Sequence, residues 1–158
     1  MASTFDPDSF GFLVADVTRM IRAELDRRTS EAGLGLTPGE GRTLSHAFRA
    51  GGVRQNVLAE RMGVEAMTLS GALDRLEARG LIERRVDPDD RRAKTVHLTT
   101  AGEEMLEQIQ PIAAALRAEA SNAVSADDWR RFVDVLKTVR ANLAALRADT
   151  CRKDGASA

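Results

Sequence analysis

Apolar residues recur at helical spacing near both ends of this 158-residue chain. Close to the N-terminus they lie three or four positions apart, which predicts a long helix over about residues 8–32 with one buried stripe. That stripe consists of Phe10, Leu13, Val14, Val17, Ile21 and Leu25. A second stripe predicts another long helix, and it consists of Trp129, Phe132, Val133, Leu136, Val139, Leu143 and Leu146.

Shorter helices follow in the middle of the chain, and capping residues mark their ends. Thr37 before a proline, with Glu40 in the first turn, predicts a second helix that stops at a pair of glycines. A third helix over 55–62 and a fourth over about 65–79 are separated only by Gly63. Two amphipathic helices joined by so tight a turn are typical of a helix-turn-helix.

A hairpin with a charged tip is predicted directly after the fourth helix. Segments 81–86 and 95–98 are strand-like, and they flank the polar run 87–93. A fifth helix should start after Thr99, where a threonine stands three residues before an acid, and run toward Val124. The predicted fold is therefore mainly α, a winged helix-turn-helix with a small β-hairpin wing and long terminal helices.

We expect one domain over residues 1–158. Within it, residues 37–99 form the winged helix-turn-helix lobe, 8–32 and 100–150 form long flanking helices, and 151–158 form a disordered tail.

Composition supports helices and narrows the possible partners. Aromatic residues make up 4% of the chain and tyrosine is absent, which suits helices better than sheets. The net charge of −1 means that any nucleic-acid surface must be local. No apolar run approaches the ~20 residues of a membrane span, so we expect a cytoplasmic protein. The single cysteine, Cys151, excludes an internal disulfide, and we expect an inert thiol and no metal or cofactor.

The side chains on the outer face of the fourth helix are unusually small. With three leucines turned inward, the outer face carries Met67, Thr68, Gly71, Asp74, Arg75 and Ala78, with Ser70 near the start. Small side chains let a helix enter the major groove, where Thr68 and Ser70 could contact bases or phosphates and Arg75 a phosphate. An ordinary solvated face is the alternative, and these residues alone do not decide between the two.

The predicted hairpin favours the DNA-binding interpretation. It holds three acids and five bases, a local charge of +2, the bases being Arg84, Arg85, Arg91, Arg92 and Lys94. An arginine at a hairpin tip beside a major-groove helix can enter the adjacent minor groove, and a nearby aspartate can hold it in position. A charged, solvated turn is the alternative, but it does not account for the neighbouring helix pair.

These motifs together resemble the multiple-antibiotic-resistance regulator (MarR) family. The matching positions are Leu58-Ala59, Gly63-Val64, Thr68, Asp74-Arg75-Leu76-Glu77, Gly80-Leu81-Ile82-Glu83-Arg84, Asp87-Pro88, Asp90-Arg91-Arg92, Leu98-Thr99 and Gly102. The resemblance implies that the fourth helix is the recognition helix, that Arg92 is the wing-tip arginine and that Asp90 orients it. Glu65 and Gly71 depart from the common pattern, which leaves the base preference open.

The resemblance also implies a homodimer on a pseudo-palindromic operator, with repression as the expected effect. Its interface would contain Phe10, Leu13, Val14, Val17, Trp129, Phe132, Val133, Leu136 and Leu143. Pairing of these helices within one chain is the alternative. An apolar stripe alone does not distinguish burial within a chain from burial between two chains. Relatives often respond to small aromatic or amphipathic anions, and Arg19, Arg22 and His46 are the candidate contacts here.

Two other classes of function compete with a DNA-binding regulator. An enzyme is disfavoured, because two histidines and one tail cysteine leave no convincing nucleophile–base pair or metal cluster. A winged helix used only for protein–protein contact is disfavoured by the basic hairpin and by the absence of an attached domain in this sequence.

Overall fold

The computed structural model describes residues 6–155, and side chains are described for residues 6–146. The described part contains six helices and three short strands. In chain order they are α1 (Phe10–Glu31), α2 (Pro38–Ala50), β1 (Val53–Arg54), α3 (Gln55–Met62), α4 (Ala66–Ala78), β2 (Ile82–Val86), β3 (Lys94–Leu98), α5 (Thr100–Ala120) and α6 (Ala126–Gly155). These residues form two compact units, 6–116 and 117–155. No helix of the described chain is both long and apolar enough to cross a membrane.

The capping residues fix α2 as the sequence predicts. Thr37 Oγ1 accepts from the backbone N–H of Glu40 at 3.3 Å, and the Glu40 carboxylate accepts from the Thr37 N–H at 3.0 Å. This reciprocal pair satisfies two N–H groups that have no partner inside the helix. Gly51 ends the helix at φ +66°, a left-handed conformation that glycine adopts without steric cost.

The predicted helix-turn-helix is confirmed in α3 and α4. Gly63, at φ +64°, makes the turn that brings the two helices together. Their inward leucines join a core with residues of α2 and the sheet, and the largest fully buried side chains are Leu44, Leu58, Leu69, Leu73, Leu76, Ile82, Val96 and Thr43. Burial of each leucine is worth about 1.5–3 kcal/mol, so this core sets the position of α4.

The wing is a sheet of three strands, whereas the sequence predicted two. Its order is β1-β3-β2, and both pairings are antiparallel. Val96 lies opposite Val53 on one side and Arg84 on the other. β1 has only two residues, too few for an alternating pattern, and it precedes α3 directly. The wing is therefore hydrogen-bonded to the segment that starts the helix-turn-helix.

The last two helices start where predicted, but their ends differ from the prediction. Thr99 Oγ1 caps α5 by accepting from the Gly102 N–H at 3.1 Å, and Ser125 Oγ caps α6 by accepting from the Asp128 N–H at 3.1 Å. α5 ends at Ala120, before the predicted Val124. α6 continues through Gly155, so the predicted tail boundary at residue 151 is not the end of the helix, and residues 156–158 lie outside the described residues.

The apolar stripe of α1 is solvent-exposed in the isolated chain. Phe10, Leu13, Val14 and Val17 are between 40% and 57% exposed, and Thr29 is the buried residue of this helix. In α6, Phe132, Leu136 and Leu143 are also exposed, while Trp129 and Val133 are half-buried. The Trp129 and Phe132 rings lie 5.5 Å apart. Exposed apolar surface of this extent is typical of an interaction site.

Candidate nucleic-acid interface

The outer face of α4 carries an exposed methionine at its start, then small side chains, and a charged pair, Asp74 and Arg75, further along. Met67 is 86% exposed, Thr68 is exposed, and Ser70 and Gly71 are half-buried. A Cβ at Gly71 would meet only the Nη1 of Arg75, at 3.6 Å. The predicted contact residues of this helix therefore lie on the face turned away from the core.

Arg75 is held by an acid that the sequence indicated only as a helix cap. Its Nε donates to Glu40 Oε1 at 2.7 Å, and the Glu40 side chain is 4% exposed. Burial acts to raise the pKa of Glu40, but hydrogen bonds from Thr37 and Arg75 outweigh it and hold the pKa below its ordinary value. Because more than half of the Arg75 side chain is exposed, its outer nitrogens still face solvent.

Of the five basic hairpin residues, two are in ion pairs and three are free. Arg84, in β2, contacts Glu77 and Asp74 of α4 through Nη2, at 2.5 and 2.7 Å. Arg85 pairs with Glu83 of its own strand. Within the described side chains no ion pair involves the remaining three, which are the exposed Arg91, Arg92 and Lys94. The fold thus leaves three exposed positive charges without an ion pair at and beside the tip of the wing.

The turn of the wing is organised by Asp87. Its carboxylate accepts from the backbone N–H groups of Asp89 and Asp90, at 2.8 and 3.0 Å, and receives a bidentate contact from Arg54. Hydrogen bonds from Arg54, which outweigh the effect of desolvation, lower the pKa of Asp87 to about 2. The buried acid of the wing is therefore Asp87, a residue that the sequence analysis noted only as part of a motif.

Asp90 contacts Arg92, but through the backbone. Its Oδ1 accepts from the Arg92 N–H at 3.0 Å, which is the pattern of an aspartate-stabilised turn. Across the described side chains the Arg92 guanidinium has no acidic partner. The predicted role of Asp90 in orienting that guanidinium stays a prediction, and the bidentate aspartate–arginine pair of the wing is Asp87 with Arg54.

A groove of about 400 Å³ opens between the wing and the starts of α3 and α4. Its lining includes Arg54, Asn56, Ala66, Arg92 and Lys94. Arg92 and Lys94, two of the three free cations, thus share one groove with Ala66, the first residue of α4. They lie 26 and 28 positions after Ala66 along the chain. An arrangement of this kind suits a polyanion that contacts wing and helix together.

The sequence-based search missed Arg54. It stands between the glycine pair and α3, and no charge cluster or periodicity marks it. Its role depends on a partner 33 residues away, so only the folded chain brings the two together.

The candidate ligand residues are in different environments. Arg19 pairs with Asp16 at 2.8 Å, whereas no ion pair involves Arg22 among the described side chains. His46 is half-buried, and burial together with the charges of Arg49, Arg22 and Arg42 lowers its pKa. The described residues contain no cluster of metal-ligating side chains.

Comparison with known proteins supports the same interpretation. Residues 36–94, which span α2 to the start of β3, match the MarR family model. The transcriptional regulator PA3341 is 36% identical over 86% of this chain and 98% of its own, with a TM-score of 0.71. Wild-type MarR from E. coli is 26% identical over 85% of this chain and 98% of its own, also with a TM-score of 0.71. A further structure of a MarR protein reaches a TM-score of 0.78 at 26% identity over 93% and 99%.

Proposed function

This chain belongs to the MarR family, and we propose that it represses transcription as a homodimer bound to a pseudo-palindromic operator. It is a DNA-binding transcription regulator rather than an enzyme.

One observation carries the proposal most directly: three unpaired cations stand beside an exposed helix in a chain of net charge −1. Arg92 and Lys94 line the groove next to α4, and Arg91 adjoins them. Several other arginines of the lobe have acidic partners, as Arg84 does with Glu77 and Arg54 with Asp87. Side chains kept free of internal partners are available to phosphate oxygens.

The helix α4 enters the major groove in this proposal. Met67, Thr68, Ser70 and Gly71 face the base edges, because they lie in its first two turns, where Met67 and Thr68 are exposed and Ser70 and Gly71 are half-buried. Arg75 contacts a phosphate with its outer nitrogens while Glu40 fixes its direction. A buried acid that holds an arginine reduces the side-chain entropy lost when DNA binds.

The wing reaches the adjacent minor groove. Arg92 inserts its guanidinium there, and Arg91 and Lys94 contact the flanking phosphates. Asp90 closes the turn that carries Arg92 and so contributes to its direction.

Dimerisation is supported by the apolar stripes of the two terminal helices. In α1 these side chains are between 40% and 57% exposed in the isolated chain, and a second copy of the chain would bury them. The proposed α6 contribution comes from Trp129, Phe132, Val133, Leu136 and Leu143. A twofold dimer places its two α4 helices in successive major grooves, so we expect half-sites about 10 bp apart.

We further propose regulation by a small aromatic or amphipathic anion. The unpaired Arg22 and the half-buried His46 are the candidate contacts, whereas Arg19 is already engaged by Asp16. An anion that stabilises a subunit spacing unsuited to the operator would release the DNA by population shift. Since the operator lies on chromosomal DNA, we expect the protein to act in the cytoplasm.

The direct test begins with a duplex selected by the protein from a random-sequence library at low salt. Its affinity is then measured by fluorescence anisotropy between 50 and 300 mM NaCl. A dimer that neutralises ~6–8 phosphates gives a log–log salt slope of roughly −5 to −7. Arg92→Ala should lower the affinity roughly tenfold, because one groove contact per subunit is lost.

Arg49→Ala is the matched control. Arg49 is an exposed arginine on α2 with no ion pair among the described side chains, and it does not line the groove. It should leave the affinity within about twofold of the unmodified protein, a shift typical of a surface change away from the interface. The proposal is wrong if no duplex is enriched, or if the two variants weaken binding equally.

A further inference from the structure

We propose that Arg54 is a positioning residue for the wing, which holds Arg92 of the tip at a fixed distance from α4 without itself contacting DNA. The inference rests on the proposed DNA-binding function. Arg54 lies at the junction of the helix-turn-helix and the sheet, as the last residue of β1 and the N-cap of α3.

The contact between Arg54 and Asp87 fixes direction as well as distance. Arg54 Nε donates to Asp87 Oδ2 at 2.7 Å, and Nη2 donates to Oδ1 at 3.1 Å. Two parallel hydrogen bonds from a planar guanidinium allow one relative orientation, which a single contact does not enforce. The end of β2 is therefore tied to the start of α3.

Asp87 transmits this restraint to the turn that follows it. Its Oδ1 also accepts from the N–H groups of Asp89 and Asp90, and its own N–H donates to the Ala93 carbonyl at 3.0 Å. Asp90 in turn binds the N–H of Arg92. A short chain of hydrogen bonds thus connects Arg54 with the residue that carries the free guanidinium.

The pairing of the strands does not by itself connect β2 to α3. β1 pairs only with β3, where Arg54 lies opposite Thr95, and β2 is the far strand of the sheet. The Arg54 side chain reaches past β3 to the end of β2 and connects the two outer strands. The segment that starts α3 therefore holds both strands of the wing hairpin: β3 through the backbone of β1, and the end of β2 through the Arg54 side chain.

The charge state of the pair is suited to a permanent restraint. Arg54 holds the pKa of Asp87 near 2, and Asp87 raises the pKa of Arg54, so both groups remain charged wherever DNA binding is measured. With Arg54 about two-fifths exposed, the pair should add little to global stability. Removing the guanidinium still leaves Asp87 with its two backbone donors, so the turn still forms, but without its anchor on α3 it opens more often.

The first experiment needs no DNA. Arg54→Met keeps most of the aliphatic chain and removes the guanidinium, and amide hydrogen exchange is followed residue by residue in the full-length protein. We expect exchange at Asp89, Asp90 and Ala93 to accelerate about tenfold, as expected when a locally restrained segment opens more often. Arg85→Met is the control, because Arg85 pairs only within its own strand and should leave these amides unchanged.

The second experiment separates positioning from direct contact through the salt dependence of binding to the selected duplex. A lost phosphate contact changes the log–log slope by about 0.9, whereas a lost restraint lowers the affinity and leaves the slope in place. We expect Arg54→Met to weaken binding several-fold at an unchanged slope. Hydroxyl-radical protection should fall at the flanking minor groove and persist at the centre of each half-site.

A double-mutant cycle with Arg92→Ala completes the test. Because Arg92 makes the groove contact that Arg54 is proposed to position, the effect of Arg54→Met should largely disappear in the Arg92→Ala background. Additive losses with a slope smaller by about 0.9 per subunit would mean that Arg54 contacts phosphate directly and would overturn the proposal. Unchanged exchange would also overturn it, whereas faster exchange in a protein that binds no duplex would overturn the proposed function instead.

Discussion

The guanidinium of Arg75 on α4 donates through Nε to the buried carboxylate of Glu40 at the start of α2, at 2.7 Å. Glu40 also closes the capping box with Thr37 and lies 3.7 Å from Arg79, whose Nη1 donates to the Gly35 carbonyl. One buried acid therefore completes the first turn of α2 and orients an arginine of α4.

Arg75→Met should change both stability and DNA binding. Loss of a hydrogen bond to a buried charge should lower the unfolding free energy by about 1 kcal/mol, measured by urea denaturation. Loss of the proposed phosphate contact should reduce the magnitude of the salt slope by about 0.9 per subunit. A lower stability with an unchanged slope would mean that Arg75 is purely structural.

Negative charges introduced into the α1 stripe should dissociate the proposed dimer. Leu13→Glu combined with Val17→Glu places two carboxylates on the exposed apolar face, where burial of an unpaired charge is costly. Sedimentation equilibrium should then report the 17.1 kDa of one chain instead of twice that mass, and operator affinity should fall steeply.

Thr18→Glu is the control for this experiment. It adds a carboxylate to an exposed polar position of the same helix and should leave the mass unchanged. A double variant that keeps the mass of two chains would exclude the α1 stripe from the interface.

His46 should make the folded state sensitive to mild acid. Burial, and then the charges of Arg49, Arg22 and Arg42, lower its pKa in the folded protein. The unfolded chain then binds a proton more readily, so the stabilising contribution is present above the ordinary pKa near 6.5 and is lost as the pH falls through it.

The measurement is thermal unfolding of the wild type and of His46→Gln between pH 8 and pH 5.5. The wild type should lose more stability over this range than the variant. Parallel pH curves for the two proteins would contradict the prediction.

Gly102→Ala should destabilise the wing root. A Cβ at this position would overlap the backbone carbonyl oxygen of Leu81, which already accepts from the Thr99 N–H. Because backbone atoms cannot rotate away, we expect a loss of about 2–3 kcal/mol in unfolding free energy.

Gly39→Ala is the matched control for this substitution. Its Cβ would meet no atom within 4 Å and it lies in the first turn of α2, so it should be neutral or stabilising by about 0.5–1 kcal/mol. Equal effects of the two substitutions would argue against a steric origin at Gly102.

Much of the fold follows from local signals. The Thr37–Glu40 capping box, the glycine that ends α2 and the turn at Gly63 each act within a few residues, so the sequence alone predicts the bounds of α2 and α3. β1 gives no such signal, because a two-residue strand exists only through its pairing with β3.

The candidate site, like the fold, has features that the sequence alone predicts and features that only the tertiary structure shows. The sequence identified five basic residues in the hairpin and the outer face of α4, and its family resemblance is confirmed by the match over residues 36–94. It did not distinguish Arg84, engaged by Glu77 and Asp74, from the unpaired Arg92.

What the sequence determined by itself is the order, type and approximate length of the helices, because periodicity and capping depend on neighbours along the chain. The tertiary structure decided which charged side chains form internal ion pairs and which remain available to a partner. Arg54 meets Asp87 across 33 residues, and Arg75 meets Glu40 across 35. An ion pair over such separations depends on the packing of the core, and no pattern along the chain encodes it.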